Sequence, residues 1–343
     1  MPYKKFNIVV LGVMLLFSTL LAACGTKAKE DTAAKGTPAA AASTPAASAK
    51  AADAAPTTRV FKDLLGHEVT IPTNPKRVIV DQFMGHLLAL GVKPVGAASY
   101  QFDAAFLKEP AAGVENIGNP VSKEKMLALN PDLIILQDEG AAVKMYDDLS
   151  KIAPTIVLSY AGADSQNVLE QLRQIGDIVG KKQEAEQWIT KYEAKAKQYR
   201  EQVAKVIGPE KTFSIVELWA KQTVVYGKNF GRGGYNLYDA LQLSPPKAVK
   251  TEMFDQNKNW LEVTMESLPK YVGDYIFLTA NAGENSAARL KELMDNPVWK
   301  SLPAVKNNHV YQMNTSEIFP GDPISVDKQL DIQAKLLLEL TAK

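Results

Sequence analysis

Residues 182–207 read KQEAEQWITKYEAKAKQYREQVAKVI, and this stretch decides the fold. Ala185, Trp188, Ile189, Tyr192, Ala196, Tyr199, Val203 and Val206 recur at spacings of three or four, with charged residues between them. That is the period of one apolar stripe along an α-helix. Neither Gly nor Pro interrupts it before Gly208-Pro209. The spacing predicts one helix of about 25 residues, near 38 Å at 1.5 Å per residue. A helix of that length inside a folded chain reads as a strut between two lobes.

Upstream, Arg77-Val78-Ile79-Val80, Pro94-Val95-Gly96-Ala97-Ala98, Asp132-Leu133-Ile134-Ile135-Leu136 and Thr155-Ile156-Val157-Leu158 are almost continuously apolar. Such runs suit strands buried on both faces. Helical segments lie between them, at Gln82 to Leu90 and Ser122 to Leu129. A further helix carries Leu169, Leu172, Ile175 and Val179 and ends near Gly180, a good C-terminal cap. Downstream, Thr212 to Leu218, Thr223 to Tyr226, Tyr275 to Thr279 and His309 to Met313 read as strands. An amphipathic helix from about Ile324 to Leu340, with Val326, Leu330, Leu337 and Leu340, closes the chain. The fold class is α/β: two lobes, each with a mostly parallel sheet and flanking helices, joined by a long rigid backbone helix. The expected boundaries are 58–181 for the first lobe, 182–207 for the helix and 208–343 for the second lobe.

The N-terminus fixes the expected compartment. Lys4 and Lys5 precede an apolar stretch from Ile8 to Leu21, shorter than the ~20 apolar residues of a membrane span. It runs into Leu21-Ala22-Ala23-Cys24-Gly25, which resembles the lipobox of bacterial lipoproteins, cleaved before the cysteine and lipidated on it. Residues 1–23 are thus expected to be a signal peptide and Cys24 to carry the lipid anchor, a palmitate-type acylation. Residues 24–57 are mainly Ala, Thr, Ser, Pro and Lys, a composition too poor in large apolar groups to fold, and read as a flexible tether. The expected location is the extracytoplasmic face of the cell membrane, with a Gram-positive surface favoured.

Cys24 is the only cysteine of the 343 residues. Disulfides, thiolate metal sites and a cysteine nucleophile are excluded from the rest of the chain. The three histidines, His67, His86 and His309, are scattered, and no metal site or cofactor of the protein's own is expected. A net charge of +1 offers no broad surface for nucleic acid. No Gly-x-Ser-x-Gly elbow, P-loop or paired-His helix motif is present, so an enzyme is not expected. A structural or adhesive lipoprotein is the other rival, against which the two-lobe pattern argues.

Three stretches then carry a family resemblance over nearly all of Thr58 to Lys343. They are Gly66-His67-Glu68-Val69-Thr70-Ile71-Pro72 with Pro75-Lys76-Arg77-Val78-Ile79-Val80, then Glu124-Lys125-Met126-Leu127-Ala128-Leu129-Asn130-Pro131-Asp132-Leu133-Ile134-Ile135, and Asp322-Pro323-Ile324-Ser325-Val326-Asp327-Lys328-Gln329-Leu330. The chain resembles the helical-backbone class (class III) of substrate-binding proteins of ABC importers, whose members carry siderophores, haem or cobalamin. The resemblance implies a ligand cleft between the lobes, limited closure and a monomer. It also implies docking on the permease's transmembrane subunits through one acidic residue per lobe, here Glu124 and Asp239.

The segment Tyr226-Gly227-Lys228-Asn229-Phe230-Gly231-Arg232-Gly233-Gly234 points to the ligand. It resembles the aromatic-Gly-Arg-Gly loop of hydroxamate-siderophore binders. Flanking glycines are expected to expose the Arg232 guanidinium to chelate oxygens, with Phe230 and Tyr226 covering the apolar periphery. Trp219, Tyr100 and Gln101 follow strands and are expected to face the cleft. Trp260 and Phe319 read equally as packing or binding, and Trp188 and Trp299 as core. The expected ligand is a ferric siderophore, hydroxamate type favoured, and iron enters as that chelate. Haem or cobalamin is the alternative. Met84 and His86 cannot both ligate one haem iron, because two residues on a helix lie about 200° apart.

Overall fold

The computed structural model describes residues 57–138, 140–160, 167–281 and 283–340. Residues 1–56, including Cys24, the signal peptide and nearly all of the tether, lie outside the described residues.

A hairpin of β1 (Thr58–Lys62) and β2 (Glu68–Pro72) opens the domain. The first lobe then builds a five-stranded sheet from β3 (Val78–Val80), β4 (Gly96–Ala97), β5 (Glu115–Asn116), β6 (Leu133–Gln137) and β7 (Thr155–Leu158), in the order β5-β4-β3-β6-β7. Every pairing is parallel. The second sheet uses β8 (Phe213–Trp219), β9 (Thr223–Tyr226), β10 (Trp260–Val263), β11 (Tyr275–Asn281) and β12 (Val310–Gln312), in the order β10-β9-β8-β11-β12.

This second sheet is more mixed than the sequence suggests. β8–β11 and β11–β12 are parallel, but β8–β9 and β9–β10 are antiparallel. Only Ala220, Lys221 and Gln222 join β8 to β9, far too few for a crossover, so the chain must turn back as a hairpin. Of the two sheet strands missed in the sequence, β5 is a two-residue exposed strand without an apolar residue, and β10 is a four-residue edge strand with Trp260 largely in solvent.

The strut helix runs from Lys182 to Val203, 22 residues, or about 33 Å. It stops a turn short of the expected end. Lys205 and Val206 donate to the Gln202 and Val203 carbonyls, three residues back, and this tighter turn leads into Gly208-Pro209. Val206 is consequently 44% exposed instead of extending the buried stripe. Ala185, Ile189, Tyr192, Ala196 and Val203 are buried, while Trp188 is half-buried and stacks on Tyr192 with ring centroids 5.5 Å apart.

Alternation along the strands feeds two faces. Val78, Val80, Leu133 and Ile135 of the first sheet, and Ile215 and Phe277 of the second, join one apolar core with Ile189, Tyr192, Leu330 and Leu337. The opposite faces form a separate cluster in each lobe, around Ile79, Ile134 and Met126 in the first and around Val216, Ile276 and Trp299 in the second. Each fully buried side chain of this kind contributes about 1.5–3 kcal/mol. Because one core crosses from lobe to lobe through the strut, large rigid-body opening would expose it.

The closing helix, Pro323–Leu340, stitches this junction. Lys195 of the strut pairs with Asp327 and Asp331 at 2.7 and 3.1 Å. Asn236 accepts a hydrogen bond from the Tyr192 hydroxyl and donates to the Val326 carbonyl and Gln333 Oε1. The helix start reaches the first lobe too: a Cβ on Gly85 would lie 2.3 Å from Asp322 Oδ1. The closing helix therefore belongs to both lobes and not to the second alone.

Candidate functional site

The carboxyl ends of β3, β4, β7 and β11 lead into residues that line a cavity of about 450 Å³ between the lobes. This is where open α/β sheets take their ligands. Gln82, Tyr100 and Gln101 line it from the first lobe, and Asn281, Thr315 and Phe319 from the second. Tyr100 and Gln101 both belong to this lining. Tyr100 is held by Gln137, whose Nε2 donates to its hydroxyl at 2.9 Å. Burial first, and then the nearby Asp81 carboxylate, push the Tyr100 hydroxyl well above the usual range.

Asp81, at the end of β3, sits beneath this wall. Its Oδ1 accepts from the Gln137 amide at 2.9 Å, and burial raises its pKa to about 7. Tyr160, at the end of β7, also lines the cavity, and burial pushes its hydroxyl up to about 12. Neither residue was singled out in the sequence, because an Asp or Tyr after a strand has many ordinary uses.

The Gly-Arg-Gly loop differs from expectation. Arg232 is 3% exposed and does not line the cavity. Its Nε donates to Glu217 Oε2 at 3.2 Å and its Nη1 to the Phe230 carbonyl at 3.2 Å. The guanidinium carbon lies 3.7, 4.4 and 5.0 Å from the ring centroids of Phe319, Tyr226 and Phe230. Three aromatic faces and one buried carboxylate therefore satisfy the cation. Phe319 is the ring shared between this cage and the cavity wall.

The glycines serve close approach and not exposure of Arg232. Gly231, Arg232 and Gly233 all have positive φ, at 67°, 54° and 75°. A Cβ on Gly231 would lie 2.3 Å from the Phe319 carbonyl oxygen, and one on Gly233 2.3 Å from Gln333 Nε2. The loop is folded tightly onto the segment that carries Phe319, which turns Arg232 inward.

Glu217 is the residue that sequence reading missed most clearly. It is fully buried on β8 and accepts from Arg232 Nε, from Trp219 Nε1 at 3.0 Å and from Thr279 Oγ1 at 3.3 Å. An acidic residue inside the apolar run Ser214-Ile215-Val216-Glu217-Leu218 was the available signal. Trp219 is half-buried, paired in register with the cavity-lining Asn281, and its ring is fixed by Glu217. Tyr226 and Phe230 stack at 6.1 Å and form part of the cage. Trp260 lies on the exposed edge, and Trp299 is fully buried in the second lobe.

Met84 and His86 are both fully buried in the first lobe. Burial lowers the His86 pKa to about 3, and neither ring nitrogen finds a hydrogen-bond partner. The neighbouring Gln171 gives its amide to the Ser159 and Tyr160 carbonyls instead. Neither Met84 nor His86 is available to a ligand iron. Among the described residues no group of three His, Cys, Asp or Glu is placed to hold a metal ion.

Glu124 lies in the first turn of the helix Lys123–Ala128, exposed, with the Ser122 hydroxyl donating to Oε2 at 2.9 Å. Its own backbone amide and that hydroxyl hold its pKa below the usual range. Asp239 is less open. It stands on a π-helical turn, Asn236–Ala240, with Oδ1 3.6 Å from Lys228 Nζ and Oδ2 buried. Burial raises its pKa despite Lys228.

A two-lobed α/β chain with a strut and an interlobe cavity matches the family model described as periplasmic binding protein over residues 84–316. The chain belongs to that family. Relatives in Bacillus subtilis (strain 168) include the iron(3+)-hydroxamate-binding protein YxeB, 34% identical over 98% of both chains, and the iron(3+)-hydroxamate-binding protein FhuD, 35% identical over 96% of both. The solved structure of FhuD2 from Staphylococcus aureus with bound ferrioxamine B superposes with a TM-score of 0.69 at 30% identity, covering 78% of this chain and 100% of that one. As a periplasmic binding protein, the chain has the two-lobe architecture its strut helix implied.

Proposed function

We propose that this protein captures a ferric hydroxamate siderophore in the interlobe cavity and delivers it to an ABC permease. The cavity carries this reading. It combines aromatic surface from Tyr100, Tyr160 and Phe319 with polar groups from Gln82, Gln101, Asn281 and Thr315. Those are the two kinds of contact an oxygen-rich chelate with an apolar periphery needs. The names of the B. subtilis relatives point the same way.

Cys24 carries the lipid anchor and residues 24–57 the tether, on the sequence pattern described above. No helix of the described residues is long and apolar enough to cross a membrane. The protein works as a monomeric binding protein without turnover of its ligand. Glu124 is the first lobe's docking carboxylate. Asp239 is its counterpart, once released from Lys228.

The test is a tryptophan-fluorescence titration of the purified protein with ferrioxamine B, ferrichrome, ferric catecholates, ferric citrate, haem and cobalamin. Saturable quenching by iron-loaded hydroxamates, absent with the iron-free forms, is the expected result. Tight binding of haem or cobalamin alone, with silence toward every siderophore, would overturn the ligand assignment and leave the fold intact.

A further inference from the structure

The chain enters the folded domain on the side away from the cavity. The Thr57 carbonyl accepts from the Thr73 amide at 3.0 Å, and Thr58 pairs with Pro72 in the opening hairpin. Arg59 donates from Nη2 to the Asp177 carbonyl at 2.9 Å and to Asp177 Oδ2 at 3.0 Å. Asp177 lies in the last turn of the helix Val168–Ile178. That helix starts beyond the carboxyl end of β7, so its last turn lies back toward the amino ends of the strands. A Cβ on Gly180 would lie 2.7 Å from the Thr73 carbonyl oxygen, and the strut starts just after, at Lys182. Immediately before β3, the Lys76 and Arg77 amides donate to Asp132, which precedes β6, at 2.6 and 2.9 Å. The root of the tether is therefore at the amino ends of the first sheet, beside the start of the strut.

The cavity opens at the other end. Gln82, Tyr100 and Tyr160 line it just past the carboxyl ends of β3, β4 and β7. Glu124 belongs to that end too, because its helix follows the carboxyl end of β5. There the Ser99 amide donates to the Gly118 carbonyl at 3.2 Å, and Lys125 Nζ donates to the Asn116 carbonyl at 2.7 Å. A chelate passed from the cavity to a permease leaves by this end, which must then face the membrane. The tether root then faces away from it. About 33 residues separate Cys24 from Thr57. Fully extended, at about 3.5 Å each, they reach roughly 115 Å. A domain of this size is about 50 Å across, whereas a relaxed chain of that length spans only about 30 Å end to end.

Building on the proposed function, we infer that the tether is a detour spacer. Its length lets Cys24 reach the membrane past the folded domain while the cavity mouth rests on the permease. Below about 15 residues, the number whose extended length equals the domain's breadth, anchoring and docking exclude each other. The inference rests on the proposed lipid anchor and on delivery to a permease. It makes length, and not composition, the property of the segment that uptake depends on.

The experiment expresses the full chain with shortened tethers in cells lacking the native protein. It measures uptake of radioactive iron as ferrioxamine B, the amount of protein held in the membrane fraction, and the affinity of each purified variant. Deleting residues 40–47 leaves a reach of about 85 Å, and uptake is expected to stay near the native level. Deleting residues 32–51 leaves about 45 Å, and uptake is expected to fall at least about tenfold with affinity and anchoring unchanged. Refilling that gap with a Gly-Ser segment of the deleted length restores uptake. Native uptake by the variant lacking residues 32–51 overturns the inference, as does a refilled variant that stays inactive. If the shortest variant is lost from the membrane, the refilled one decides alone: it must regain both anchoring and uptake. Uptake that ignores tether length leaves the proposed function standing, whereas a native chain that neither binds ferrioxamine B nor supports its uptake removes both.

Discussion

Arg232 Nε lies 3.2 Å from Glu217 Oε2, and the two side chains are 3% and 0% exposed. The pair joins the Gly-Arg-Gly loop to the central strand of the second sheet, and the same carboxylate fixes the Trp219 indole. Breaking a buried pair from one side leaves an uncompensated charge, at a cost of about 3–5 kcal/mol. Glu217→Ala and Arg232→Ala are each expected to lose that much in urea unfolding. The double variant should lose clearly less than the sum. Additive losses would show that the two residues are not coupled.

Phe319 separates Arg232 from the cavity, so its truncation acts on ligand and cage together. Phe319→Ala is expected to weaken ferric hydroxamate binding at least about tenfold, as aromatic anchors in pockets commonly do. Phe319→Leu keeps bulk but removes the π face, and should recover stability more fully than affinity. Equal affinity of Phe319→Ala and the native protein, in the fluorescence titration, would remove this ring from the site.

How much of this was legible in the sequence depends on what each residue's neighbours are. The strut helix was readable because its stripe from Ala185 to Val203 is local and periodic. The buried strands β3, β6 and β7 were readable for the same reason, as continuous apolar runs. The antiparallel turn-back of β9 was not, since period and composition say nothing of strand direction. Arg232 was found, but its orientation was misread: glycines signal an unusual backbone, and only the opposing Phe319 carbonyl and Gln333 show which way that backbone turns. Glu217 escaped because its partners lie 2, 15 and 62 residues away.

Asp81 gives the fold a pH dependence with a definite sign. Its folded pKa is raised to about 7, against an ordinary value of 3.8. Below pH ~4 the group is protonated whether folded or not, and its full contribution is present. Between about pH 4 and 7 the unfolded chain loses the proton while the folded chain keeps it, so stability falls as pH rises. Asp81→Asn keeps an acceptor for the Gln137 amide and cannot ionise. Relative to the native protein it should gain stability through that window and hold the gain at pH 8. Unfolding curves at pH 4, 6 and 8 check this, and a variant less stable than the native protein at pH 8 contradicts the assignment.

Gly85 tests the contact between the first lobe and the closing helix. An alanine methyl there would meet the Asp322 carboxylate at 2.3 Å, and Asp322 cannot retreat without dropping its bonds to Ser325. Overpacking of this kind costs about 1–3 kcal/mol. Gly85→Ala is expected to lose that much, and Asp322→Gly in the same background should restore part of it by removing the opposing Cβ and carboxylate, which lie 2.6 and 2.3 Å from the added methyl. Failure of the second change to help would mean that the strain lies elsewhere.

The two carboxylates proposed to dock on the permease are expected to behave differently, because their surroundings differ. Glu124 is exposed and bonded only to its own helix start, whereas Asp239 is paired with Lys228 and half-buried. Glu124→Ala should leave ferric hydroxamate affinity unchanged while lowering iron uptake by cells several-fold. Asp239→Ala removes a carboxylate whose ionisation burial already opposes, so its cost in folding stability should be small. Its effect on uptake then isolates the permease contact. The measurement is radioactive iron uptake in cells lacking the native protein and expressing each variant, alongside affinity of the purified variants. Normal uptake in the double variant would remove both residues from docking. Lost uptake with Glu124→Ala alone, and none with Asp239→Ala, would assign docking to the first lobe and leave Asp239 a structural partner of Lys228.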